Sequence, residues 1–165
     1  MLDALLALAL VLAPAFADPR QQLEAHARAA VERMAPCRQT EQGPRAACLR
    51  DHRAIAHAIA LVAETEADAV ALIGISAHES GIRDVDQVKG NAWGPWQLET
   101  ARELRAGNRA DLLWQARYAL AAWRHGASVY ACGQTRKTAP PLCFRAAREL
   151  EAYVTSAWWA WAATR

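Results

Sequence analysis

The sequence predicts an all-α domain. Three observations carry that expectation. Apolar residues recur at helical spacing along the chain, and Val, Ile and Thr never gather into a run with turn signals at both ends. Capping residues precede several of the apolar stripes, and Gly or Pro follows them.

The first element is a leader. Ala4 to Ala13 is an almost unbroken apolar stretch, followed by Pro14 and then Ala15-Phe16-Ala17, the small-x-small pattern of a secretory cleavage site. The stretch is too short for a bilayer span, which takes roughly 20 apolar residues. Its start carries Asp3 and no Lys or Arg. Residues 1–17 therefore read as a signal peptide and 18–165 as one mature domain of 148 residues, the full 165 less 17. No transmembrane segment is expected in the mature chain.

Asp18-Pro19 gives an N-cap followed by Pro at the first helical position, and Leu23, Ala27, Ala30, Val31 and Met34 form one stripe that ends before Pro36. After Gly43-Pro44 a second stripe runs through Leu49, His52, Ile55, Ala56, Ile59, Val62 and Ala63. Thr65 with Asp68 marks a third helix start, and the helix extends to about Ser80. Asn108 is placed as the cap of a helix carrying Leu112, Leu113, Ala116, Leu120 and Trp123, with Gly126 as its stop. A last helix from about Leu142 aligns Ala147, Leu150, Val154 and Trp161.

Lys and Arg total 19 against 17 Asp and Glu. Removing Asp3 with the leader brings the acids to 16 and the mature net charge to +3. That excess is too mild for nucleic acid and suits a partner bearing carboxylates. Four cysteines in an exported chain read as disulfides, and four allow three pairings. Cys37–Cys48 with Cys132–Cys143 is favoured, because each pair brackets a Gly- or Pro-containing loop between helical stretches. No convincing zinc spacing of the C-x₂₋₄-C or H-x₃₋₅-H kind is present, and neither a metal nor a cofactor is expected.

The third helix stands apart. Ala69 through Ala77 leave it no charged face, so it belongs at the centre of the fold. Glu79 at its end meets an apolar core and the negative end of the helix dipole, and both raise its pKa. A general acid needs that, since it must hold its proton until an oxygen departs. Gly81 lets the chain turn sharply, and Gly74, lacking a Cβ, lets a neighbouring helix approach. The alternative is a Glu79 that merely begins the solvated chain, paired with Arg83. His78-Glu79 is not a metalloprotease motif, because Ile82 stands where the second His belongs.

Glu79-Ser80-Gly81, followed by Gly90-Asn91-Ala92-Trp93-Gly94-Pro95-Trp96-Gln97-Leu98 and then Val129-Tyr130-Ala131-Cys132-Gly133, resembles the lysozyme-like domain of soluble lytic transglycosylases and goose-type lysozymes. The resemblance covers about residues 69 to 133. It implies cleavage of peptidoglycan glycan strands with Glu79 as catalytic acid/base, and Gln97 and Tyr130 lining the sugar groove. The chain departs from the family pattern at Val88, at Pro95-Trp96 and at Ala131.

Trp93 and Trp96 flank Gly94-Pro95 and offer flat faces to sugar rings, whereas Trp114, Trp123, Trp158, Trp159 and Trp161 have spacings that suit packing. Glycosidases commonly use two carboxylates, and Glu99, Asp86 and Asp84 are the candidates for a second. The transglycosylases resembled here manage with one and leave 1,6-anhydro ends. The expected function is thus a lytic transglycosylase acting between N-acetylmuramic acid and N-acetylglucosamine. The alternatives are a hydrolytic muramidase using Glu99, or an envelope module that binds glycan without cleaving it. A monomer, exported to the periplasm or beyond, completes the expectation.

Overall fold

The computed structural model describes residues 18–37, 45–87, 91–99, 102–124 and 140–164. Six helices are found among them: α1 (Pro19–Met34), α2 (Arg45–Val62), α3 (Glu66–Ser80), α4 (Arg102–Asn108), α5 (Leu112–Arg124) and α6 (Pro140–Ala162). The described residues contain no strand, only isolated antiparallel bridges of Trp93 with Asp86 and with Leu98. None of the described helices is long and apolar enough to cross a membrane. The leader, Tyr130, the Gly126 stop and Cys132, with its expected bond to Cys143, lie outside the described residues.

α1 starts as its sequence dictates. The Asp18 carboxylate accepts the Arg20 N–H at 3.0 Å, with Pro19 at the first helical position. α1 and α2 pack as a pair and are joined by the Cys37–Cys48 disulfide. α3 begins with a complete capping box, in which Thr65 Oγ1 accepts the Asp68 N–H and Asp68 accepts the Thr65 N–H at 2.9 Å. Arg124 of α5 adds two more hydrogen bonds to the same carboxylate, at 3.2 and 2.9 Å. Burial alone would raise the Asp68 pKa, but the hydrogen bonds from Arg124 and Thr65 hold it below the ordinary value.

α3 is the axis of the fold. Every residue from Asp68 to Ala77 is buried, so the helix has no solvent face and makes contact with α1, α2, α5 and α6. Its closest neighbour is α6. A Cβ placed on Gly74 would lie 2.7 Å from the Val154 Cα, so the backbones meet where side chains would otherwise hold them apart. Gly74→Ala is expected to destabilise the domain. Helix propensity favours Ala by at most about 1 kcal/mol, but forcing a methyl against the α6 backbone costs about 1–3 kcal/mol. A thermal melt of the variant checks this, and a raised Tm would refute the close approach.

Two boundaries differ from the sequence expectation. Asn108 ends the short helix α4, and the cap of α5 is Asp111, whose carboxylate accepts the Trp114 N–H at 2.9 Å. Buried Gln115 explains the change, since its amide donates to the carbonyls of Asn108 (3.3 Å) and Arg109 (2.9 Å) where α4 ends. Trp158 and Trp159, expected as packing residues, are 46% and 69% exposed, because only the α6 face carrying Leu150, Ala157 and Trp161 turns inward.

Candidate functional site

Glu79 stands in the last turn of α3. The buried helix delivers it to the surface at one place, and Gly81 then turns the chain with φ +63°, a left-handed conformation that glycine adopts without strain. The Gly81 N–H returns to the Ala77 carbonyl at 3.3 Å and the Ile82 N–H to the Ser76 carbonyl at 3.1 Å. The Glu79 side chain retains 23% exposure. Burial pushes its pKa up, and the negative charge of Glu99 pushes it further, while the hydrogen bond and charge of His78 oppose both. The net shift is upward. His78 Nδ1 lies 3.2 Å from Glu79 Oε1.

The loop after α3 is fastened to that helix at two points. Ser80 Oγ lies 2.8 Å from the Pro95 carbonyl, with the Ser76 carbonyl at 3.1 Å as the other acceptor, and it receives the Arg83 N–H at 3.0 Å. Trp96 Nε1 donates to the Leu72 carbonyl at 3.0 Å, in the middle of α3. Gly94 has φ +75°, and a Cβ there would stand 1.9 Å from Gln115 Oε1, so both its backbone and the space around it require glycine.

Trp93 and Trp96 are not sugar platforms. Both indoles are fully buried: Trp93 lies parallel to Trp114 with ring centroids 6.1 Å apart, and Trp96 is in the core beside α3. The reason is the loop geometry, which turns both side chains inward. The Trp93 stack does reach the surface through its neighbours, since Trp114 stacks on Tyr118 at 5.2 Å and Tyr118 is 40% exposed.

Gln97 is committed to the loop itself. Its amide donates to the Val85 carbonyl at 2.8 Å and the Gly94 carbonyl at 2.9 Å, and its backbone is held at φ +47°. Three sequence candidates competed to be a second carboxylate, and their environments separate them. Asp84 and Asp86 each accept a hydrogen bond from Arg109 at 2.7 Å, and Asp86 a second from Arg105 at 2.6 Å. For Asp86, burial acts upward, but the two guanidiniums outweigh it and hold the carboxyl below its ordinary value. Both acids therefore serve as anchors of the loop. Glu99 is the one of the three whose charge acts on Glu79. Arg83, a suggested partner of Glu79, instead reaches Asp51 at 3.4 Å.

Two residues at the site escaped the sequence reading. Ser80 was part of the motif but had no assigned task, and its hydroxyl ties α3 to the loop. Tyr153 of α6 meets the His78 ring edge-on at 5.2 Å and is 41% exposed, which places a phenol ring beside the Glu79 pair. Its only signal is indirect, through Gly74: the close approach at neighbouring Val154 is what brings α6 to the end of α3.

Fold and site together define an all-α domain that presents one partly buried carboxylate at the end of its central helix, with a braced loop and an aromatic ring beside it. No protein-family model, curated protein or solved structure matches this chain.

Proposed function

We propose that this protein cleaves peptidoglycan glycan strands between N-acetylmuramic acid and N-acetylglucosamine, as a lytic transglycosylase of lysozyme-like architecture. The single observation that carries the reading is Glu79, an acid whose pKa is raised by burial and whose side chain still reaches solvent. A carboxyl that keeps its proton towards neutral pH is suited to protonating a leaving oxygen.

In the proposed reaction Glu79 donates its proton to the glycosidic oxygen as the C1–O bond breaks. The resulting carboxylate then removes the proton from the C6 hydroxyl of the same muramic acid, and O6 closes on C1. Glu79 ends protonated, no water is consumed, and the product carries a 1,6-anhydro end. The engagement of Asp84 and Asp86 with arginines supports a one-carboxylate route, because neither is free to activate water. In this reading Tyr130, which lies outside the described residues, is the sugar-contacting tyrosine that the resemblance implies. Action on the wall fits export by the leader over residues 1–17.

A second reading has its own support. Glu99 acts electrostatically on Glu79, and a second carboxylate acting across the sugar from the acid is what a hydrolytic muramidase uses. Mass spectrometry of fragments released from purified peptidoglycan separates the two. Anhydro ends from wild type and from Glu99→Gln alike are expected. Reducing ends that vanish in Glu99→Gln would assign hydrolysis. Retained wall binding without any release would overturn both and leave a glycan-binding module.

A further inference from the structure

We propose that Cys37, Cys48, His52 and Glu32 form a second site: a zinc-class metal centre that replaces the Cys37–Cys48 disulfide when that bond is reduced. It rests on observations separate from the glycan-cleavage reading.

Cys48 and His52 are one turn apart on α2 and therefore share a face, and Cys37 comes to them from the segment after α1. His52 Nδ1 and Nε2 lie 3.3 and 3.8 Å from Cys37 Sγ, and Nε2 lies 3.5 Å from Cys48 Sγ. The ligand atoms of the three residues all fall within 4.8 Å of one another. In a tetrahedral zinc site, bond lengths of about 2.3 Å to sulfur and 2.0–2.1 Å to nitrogen put sulfur and nitrogen about 3.6 Å apart. The imidazole already meets that spacing to both sulfurs. The sulfurs themselves would part to about 3.8 Å, a change that side-chain rotation of two cysteines supplies.

The surroundings are those of a metal ligand set. His52 and Cys37 are 4% and 6% exposed. A disulfide sulfur is a weak acceptor, so the disulfide alone gives a buried imidazole little reason to be there. Glu32 Oε2 lies 3.3 Å from His52 Nδ1, and Glu32 Oε1 receives the Cys37 N–H at 3.2 Å. A carboxylate on the far nitrogen orients the ring and leaves Nε2 for the ion, as in carboxylate–histidine–zinc arrangements. Glu32 and His52 also line a cavity of about 520 Å³ with Arg28, Arg45 and Leu49. It opens the His52 and Glu32 side of the set to solvent. Two thiolates and an imidazole select zinc or cobalt over magnesium or calcium.

The exchange balances. A dithiol or phosphine reductant supplies two electrons, two protons complete the thiols, and both protons leave as the divalent ion binds. The metal and the disulfide are thus mutually exclusive states of one site. The spacing rules miss this set because its two cysteines lie on different segments and the histidine supplies the third ligand.

The test uses the full chain carrying Cys132→Ser and Cys143→Ser, reduced with a phosphine and titrated anaerobically with cobalt(II). Expected are thiolate-to-cobalt charge-transfer bands and the visible bands of tetrahedral cobalt, saturating stoichiometrically and displaced by zinc. The unreduced chain should show neither. Glu32→Gln should keep the bands with affinity weakened about 10- to 100-fold, and His52→Ala should lose the tetrahedral spectrum. If reduction alone lowers helicity, zinc should restore it in the circular dichroism. Absent thiolate bands, or a His52→Ala protein with unchanged spectrum and affinity, or a reduced chain that zinc fails to refold, would each overturn the proposal.

Discussion

Glu79→Gln is expected to lower turnover on peptidoglycan by at least ~100-fold, at the low end of what a positioned general acid contributes, while glycan binding and fold persist. The substitution keeps the size of the side chain and removes its proton. Substantial residual cleavage would take Glu79 out of the mechanism. The same group fixes the sign of two pH effects. Its folded-state pKa is raised, chiefly by burial, so the protonated acid survives above the ordinary 4.5. Activity should fall on the alkaline side as Glu79 ionises. Glu99→Gln removes the charge that adds to the effect of burial, and should move that fall to lower pH.

Stability follows by linkage. A group whose folded pKa is raised contributes stability that is complete below its unfolded pKa and is lost as pH rises through the folded value. As pH rises through the folded value, Glu79 ionises while still largely buried and that contribution is lost. Glu79→Gln should therefore be at least as stable as wild type at pH 7, with the difference closing on acidification below about 4.5. Denaturation at the two pH values reads this out. A variant less stable than wild type at neutral pH would mean that the carboxylate is held by more than His78.

Trp96→Ala should lose about 3–5 kcal/mol of stability, the range for truncating a buried Trp. The indole is fully buried, and its Nε1 bonds the Leu72 carbonyl across 24 residues of sequence. Truncation leaves a cavity between α3 and the loop that follows Glu79. Trp96→Phe keeps most of the ring and should lose about 1 kcal/mol for the hydrogen bond, with a further packing cost for the smaller ring. Chemical denaturation measures both. An indole serving as an exposed sugar platform would behave otherwise, since its removal would weaken binding and leave stability within about 0.5 kcal/mol. That outcome would return Trp96 to the substrate and contradict its place in the core.

The helix starts and stops were readable wherever a few neighbouring residues decide them. Asp18-Pro19 opens α1, Thr65 with Asp68 opens α3, and Gly81 closes α3, each through bonds that span at most a few positions. α4 and the start of α5 were misread because Gln115 meets the carbonyls of Asn108 and Arg109 only after the chain has folded back. The site divides in the same way. That Glu79 would end a buried helix follows from the uncharged run Ala69 to Ala77, and so does the direction of its pKa.

The sequence by itself determined the helical character of the described residues and the central place of α3, and it pointed to the close approach at Gly74 and to Cys37–Cys48 as one of the favoured pairs. Periodicity, caps and the lack of a side chain act locally, and a linear pattern records them. Only the tertiary structure decided that Trp93 and Trp96 turn inward, that Arg105 and Arg109 claim Asp86, that Tyr153 faces His78 and that His52 lies against two sulfurs. Each of these joins separate segments. An aromatic ring or a carboxylate reads the same in sequence whether core, cation or solvent lies across from it, and packing alone chooses among them.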